Sequence, residues 1–148
     1  MTRRISGSWF VSPSTGNTLM LELTKDIANS KSPRVIVPIM HIYLEHVFEL
    51  LLKKYWNNAD KILNGRPSYL QKLQLLYSLN LIDDNQYENL RYINNIRNEF
   101  AHSFKPRDNE IMSLCLKLSN HPYRQTRPWL DMYGYSVIGL MSELTKEL

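Results

Sequence analysis

Apolar side chains recur every three or four residues along six separate segments of this chain. That spacing places them on one face of an α-helix. Breaker residues separate neighbouring segments, notably Gly65, Arg66 and Pro67. A short strand at Val35–Ile39, rich in β-branched residues, is the competing interpretation, but no second strand pattern exists to pair with it. The sequence therefore predicts an all-α fold, a single compact bundle of about six helices.

Several helix starts carry recognisable capping signals. Ser32 followed by Pro33 is typical of an N-cap with proline at the first helical position. Asp83 with Gln86 three residues later fits a capping box. Pro38 is expected to kink the second helix or to mark its true start. The predicted helices cover Thr18–Asn29, Pro33–Trp56, Tyr69–Leu79, Asp84 to before Pro106, a segment capped by Asp108, and a last one from Pro128.

Length and composition set the broad class. With 148 residues, 43% hydrophobic and 22% charged, the chain suits one globular domain. We expect residues 1–17 to be a flexible or docking tail and residues 18–148 to be the domain. The single Cys115 excludes an internal disulfide and a cysteine-cage zinc site. No phosphate-binding glycine loop and no cluster with metal-ligand spacing is present, so no cofactor or metal is expected.

The longest apolar stretch, Val35–Leu52, is interrupted by proline, histidine and glutamate, so no membrane span is expected. We therefore expect a cytoplasmic location. The chain has 18 Lys and Arg against 14 Asp and Glu, a net charge of +4. Such an excess permits a polyanionic partner but does not establish one.

The most informative segment is the helix that runs through Ile93–Phe104. On a helical wheel with about 100° per residue, Arg97 falls inside the apolar arc. A buried guanidinium needs a partner, because an isolated buried charge is very costly. Glu45 and Glu49, one turn apart on the long second helix, are the candidate partners.

A polar stripe runs beside that apolar arc. Asn94, Asn98 and His102 lie four residues apart, and Arg91 is close to them on the wheel. Arginine offers a planar donor fork for phosphate oxygens, and histidine can transfer a proton near neutral pH. The stripe therefore suits a site that grips phosphate and moves a proton. Spacing alone favours the other interpretation, in which these residues are caps and satisfied polar groups of the core.

The run from Arg97 to His102, Arg-Asn-Glu-Phe-Ala-His, resembles the R-x4–6-H motif of the HEPN superfamily. The resemblance implies a HEPN-like helical fold. Active HEPN proteins are metal-independent ribonucleases, often toxins or antiviral effectors, that dimerise to build one composite cleft. By this resemblance Arg97 holds the scissile phosphate and His102 assists proton transfer. Asn98 orients either the histidine or the phosphate. Asn94 and Glu45 have supporting roles.

The same resemblance implies partners. RNA is the implied ligand, with Arg91, Lys105 and Arg107 placed to meet its backbone, and a homodimer is the implied assembly. An antitoxin or a regulatory protein is the further partner that such domains have. The implied products of cleavage are a 2′,3′-cyclic phosphate and a 5′-hydroxyl.

The wider run Tyr69–Phe104 is similar to the mannitol operon repressor family. This second resemblance implies a non-catalytic regulatory or protein-interaction module, in which Arg97 and His102 are structural. Sequence-specific DNA binding is disfavoured, because the exposed side of the motif helix begins with Asp83, Asp84 and Glu88, which repel phosphates.

Overall fold

The computed structural model describes residues 14–28, 30, 32–103, 106–118 and 129–148, which form seven α-helices and no strand. The predicted all-α fold is confirmed, and the helix beyond the six expected is a single short turn between the second and third predicted helices. In chain order the helices are α1 (Ser14–Ala28), α2 (Pro33–Tyr55), α3 (Ala59–Leu63), α4 (Tyr69–Ser78), α5 (Asp84–His102), α6 (Asp108–Lys117) and α7 (Trp129–Thr145).

Helix α2 is the centre of the bundle. It contacts α1, α4, α5 and α7, and its fully buried side chains include Leu44, Val47 and Phe48. By length and composition alone α2 could cross a membrane, yet half of its apolar window is buried within the bundle. The alternative of a strand at Val35–Ile39 is wrong, because that stretch lies inside α2.

Local signals fixed several helix ends as predicted. Ser32 is the N-cap of α2, with Pro33 as its first residue. The capping box of Asp83 and Gln86 opens α5. A second capping box, formed by Ser68 and Gln71, opens α4. The two capping boxes satisfy backbone N–H groups that have no partner within the first helical turn.

Other boundaries differ from the predictions. Helix α1 begins at Ser14, ahead of the predicted Thr18, and Arg107 rather than Asp108 is the N-cap of α6. Helix α5 ends at His102, before Pro106. The rest of the predicted tail (1–13) and residues 29, 31, 104–105 and 119–128 lie outside the described residues.

Helix α5 packs against four other helices, and this packing sets the orientation of its polar edge, which carries Asn94, Arg97 and Asn98. It contacts α2, α4, α6 and α7, and Leu90, Ile93 and Ile96 are fully buried. With its apolar face fixed in this way, the neighbouring edge of α5 is turned toward α2 and the start of α4.

Candidate functional site

An open cleft of about 350 Å³ lies where α2, the start of α4 and the polar edge of α5 meet. It brings together three polar residues of the motif helix and several groups from outside the motif. Its lining residues are His41, Glu45, Ser68, Tyr69, Leu70, Asn94, Arg97 and Asn98.

Arg97 is half-buried in this cleft and has no acidic partner within it. Its Nη1 donates to Oδ1 of Asn98 at 3.1 Å. None of the ion pairs within the described part of the chain involves Arg97. The predicted pairing of Arg97 with Glu45 or Glu49 is therefore wrong. The guanidinium is restrained by a neutral amide, and its charge has no acidic partner among the described residues.

Lys72 of α4 takes the place that was predicted for Arg97. Its Nζ donates to Glu45 Oε2 at 2.9 Å and to Glu49 Oε1 at 2.6 Å, and its side chain is only 8% exposed. Burial alone lowers the pKa of Lys72, but the hydrogen bonds to the two carboxylates outweigh burial and raise it. Lys72 thus remains charged and neutralises the carboxylate that lines the cleft.

His41 is a part of the site that the motif did not indicate. The residue is 3% exposed, and its ring stacks on Tyr69 with 4.1 Å between centroids. Nε2 lies 3.2 Å from Oδ1 of Asn94, and Nδ1 lies 3.5 Å from Oε1 of Glu45. Burial, more than the nearby cations of Arg97 and Lys72, lowers the pKa of His41. The ring is therefore neutral at neutral pH.

His102 is placed differently from the rest of the predicted site. It is exposed at the last residue of α5 and is not among the residues that line the cleft. Five residues separate it from Arg97, a rise of about 7.5 Å along the helix. Next to it, Nη2 of Arg34 donates to the carbonyl of Ser103 at 3.3 Å, so α2 supplies a cation at this end of the motif.

Two of the three predicted nucleic-acid-binding residues lie outside the cleft. Arg91 is exposed and pairs with Glu88 at 3.1 Å. Arg107 is exposed and lies 3.7 Å from Glu110. Lys105 is outside the described residues. The structure therefore brings Glu45, Asn94, Arg97 and Asn98 together but does not join Arg91 or Arg107 to them.

Two residues that sequence reasoning missed had a detectable signal. His41 follows Val37 by four residues on the apolar stripe of α2, and Lys72 lies between Tyr69 and Leu73 on that of α4. A polar residue on an apolar stripe indicates a buried polar partner.

No group of three or more metal-ligating side chains occurs within residues 14–28, 30, 32–103, 106–118 and 129–148. Comparison of the chain with family models, curated proteins and solved structures found no significant match.

Proposed function

We propose that this domain is a metal-independent endoribonuclease that holds a phosphodiester with Arg97 and uses His102 for proton transfer. The observation that carries the proposal is the guanidinium of Arg97, which lines an open cleft and has no acidic partner among the described residues, while Lys72 bridges Glu45 and Glu49. Because the two cations together balance the two carboxylates, the cleft carries no net negative charge, and the donors of Arg97 attract an anion that enters it.

The donors in the cleft suit an oxyanion. Oδ1 of Asn98 is engaged by Arg97, and Oδ1 of Asn94 by His41. Each amide therefore has its NH₂ group left to offer a ligand, beside the remaining donors of Arg97. A ligand that only accepts hydrogen bonds, as a phosphodiester does, matches such a set.

The chemistry follows from these positions. The ribose 2′-oxygen attacks phosphorus and loses its proton, while the bond from phosphorus to the 5′-oxygen breaks and that oxygen gains a proton. Arg97 stabilises the charge on the phosphoryl oxygens, and His102 transfers a proton. The products are a 2′,3′-cyclic phosphate and a 5′-hydroxyl.

A second copy of the chain completes the site in this proposal. Arg97 and His102 of one chain are about 7.5 Å apart along α5, so a phosphate held by one arginine is reached by the histidine of the partner. Exposed apolar side chains beside the cleft support such a contact: Leu70 lines it and is 39% exposed, and Ile42, next to His41, is 64% exposed.

The test is cleavage of single-stranded RNA by the purified protein in excess chelator, with analysis of the ends. We expect 2′,3′-cyclic phosphate ends, and a loss of about 100-fold in rate in His102→Ala, the scale of general acid–base catalysis. His46, an exposed histidine of α2, provides the matched control, and His46→Ala keeps the full rate. Unchanged cleavage in His102→Ala removes the role of His102. An inactive wild-type chain leaves the regulatory or protein-interaction module as the better account.

A further inference from the structure

His41 faces hydrogen-bond acceptors on both sides of its ring. Oδ1 of Asn94 lies 3.2 Å from Nε2, and Oε1 of Glu45 lies 3.5 Å from Nδ1. A neutral imidazole has one N–H, so it can donate to only one of them. Donation to Asn94 leaves the lone pair of Nδ1 facing a carboxylate. A second proton, on Nδ1, turns that unfavourable contact into a charge-assisted hydrogen bond.

The charged groups around the ring oppose that second proton in the unliganded protein. Burial is the main cause of the lowered pKa of His41, and the cations Arg97 and Lys72 also lower it, while Glu45 raises it. Tyr69 covers one face of the ring. Protonation is therefore balanced between acceptors that favour it and an environment that disfavours it.

An anion bound at Arg97 changes that balance. With His41 neutral, the charges of Lys72 and Arg97 cancel those of Glu45 and Glu49. A bound phosphodiester adds one negative charge to this group, and a proton on His41 restores neutrality. The anion also offsets the repulsion that Arg97 exerts on an imidazolium in the same cleft.

We propose that the cleft binds a phosphodiester together with a proton, which is taken up on Nδ1 of His41. His41 is then a positioning residue, because it acts on the ligand through Asn94 and through its charge. The inference rests on the proposed function, which supplies the phosphodiester as the ligand. By linkage, ligand and proton strengthen each other's binding, so the affinity of the cleft for the phosphodiester rises as the pH falls.

The experiment measures proton uptake during binding of a single-stranded 2′-O-methyl RNA oligonucleotide, which lacks the nucleophile and has no phosphodiester that titrates near neutrality. Calorimetry at pH 6.5 in two buffers of different ionisation enthalpy gives the number of protons taken up. We expect a substantial fraction of one proton for the wild type, and an affinity several-fold higher at pH 5.5 than at pH 7.5, with about tenfold as the upper limit for a tenfold rise in the proton affinity of His41.

Variants separate His41 from the other titrating groups. His41→Gln keeps a donor for Asn94 but cannot titrate, so its proton uptake on binding is much smaller than that of wild type, and its affinity no longer rises as the pH falls. His46→Gln, at an exposed position of the same helix, takes up as much as wild type. A ¹⁵N NMR titration of the wild-type imidazoles, with and without the oligonucleotide, gives the same answer without any variant, as a rise in the pKa of His41 upon binding.

The outcomes distinguish the two proposals. Binding without proton uptake, or with uptake that His41→Gln retains, overturns this inference while leaving the ribonuclease proposal in place. Binding with uptake on His41 but no cleavage of ordinary RNA supports the inference and contradicts the ribonuclease. Absence of oligonucleotide binding contradicts both.

Discussion

Helix α5 lies between α2 and α4 at residue 97, whereas at residue 102 it ends at an exposed side chain. At the first position, Arg97 shares a cleft with His41 and Asn94, which are 3% and 5% exposed. At the second, His102 is exposed, and beside it Arg34 donates to the backbone carbonyl of Ser103. One end of the motif is thus a built polar site, and the other is an exposed group.

This difference teaches how far a linear motif describes a site. Spacing along α5 brings Asn94, Arg97 and Asn98 to one edge, because they lie three or four residues apart. The groups that surround this edge come from α2 and α4, which the motif does not include. His41 of α2 contacts Asn94, and Lys72 of α4 pairs with the carboxylates of α2. The surroundings of Arg97 depend on how the helices pack. His102 is exposed, so a catalytic role for it requires a ligand or a partner chain.

The largest effect expected at the cleft end is on catalysis. Arg97→Ala removes the only positive charge of the motif that lines the cleft and should slow RNA cleavage about 1000-fold, the scale for loss of one electrostatic stabiliser. Arg97→Lys keeps the charge but loses the planar fork and should recover only part of the rate. Single-turnover cleavage in chelator measures both, with circular dichroism to verify folding. Equal rates for Arg97→Ala and wild type would place the chemistry elsewhere.

A smaller effect is expected on the free energy of unfolding, where loss of the buried Lys72 should cost more than loss of the exposed Lys53. Lys72→Met leaves Glu45 and Glu49 without their cation, and we expect a loss of about 2 kcal/mol in the free energy of unfolding, reduced from the full buried-pair value because both carboxylates are about one-third exposed. Lys53, 3.9 Å from Asp60 and exposed, is the matched control. Lys53→Met should cost less than about 0.5 kcal/mol. Urea denaturation measures both, and equal costs would mean that the Lys72 cluster is energetically no different from the surface.

The smallest effect is the pH dependence of stability. Burial, as the main cause, holds the pKa of His41 in the folded protein below its ordinary 6.5, so the unfolded chain binds this proton more tightly. The stability that comes from a neutral His41 is therefore complete above pH 6.5 and is lost as the pH falls through the folded-state value. Urea denaturation at pH 7.5 and pH 5 should show the loss in wild type and a smaller one in His41→Gln. The exposed His46→Gln should behave as wild type, and an identical loss in His41→Gln would show that His41 is not the group responsible.

The fold was predictable where the information is local. The capping box of Asp83 and Gln86 and the Ser32–Pro33 start act within one turn, so the sequence displays them directly. The strand alternative at Val35–Ile39 failed because this stretch lies inside α2, where Ile36 and Val37 are buried in the core, and such packing overrides the weak preference of β-branched residues.

The site was predictable along one helix and not between helices. The polar edge of α5 could be predicted, because Asn94, Arg97 and Asn98 are spaced three or four residues apart, which places them on one side of a helix. The choice of Lys72 over Arg97 as the partner of Glu45 depends on how α4 packs on α2, which no spacing within a helix specifies. The partner of His41 was not predictable for the same reason, since Asn94 lies 53 residues away in the sequence.

The central claim is that Arg97 holds a phosphodiester in the cleft. The most direct measurement is an NMR titration that follows the side-chain signals of arginine Nε–H and asparagine NH₂ while a 2′-O-methyl RNA oligonucleotide is added. The account predicts that the Arg97 signal shifts most, together with those of Asn94 and Asn98. Binding that leaves these three signals unchanged, and shifts those of Arg91 and Arg107 instead, would contradict it.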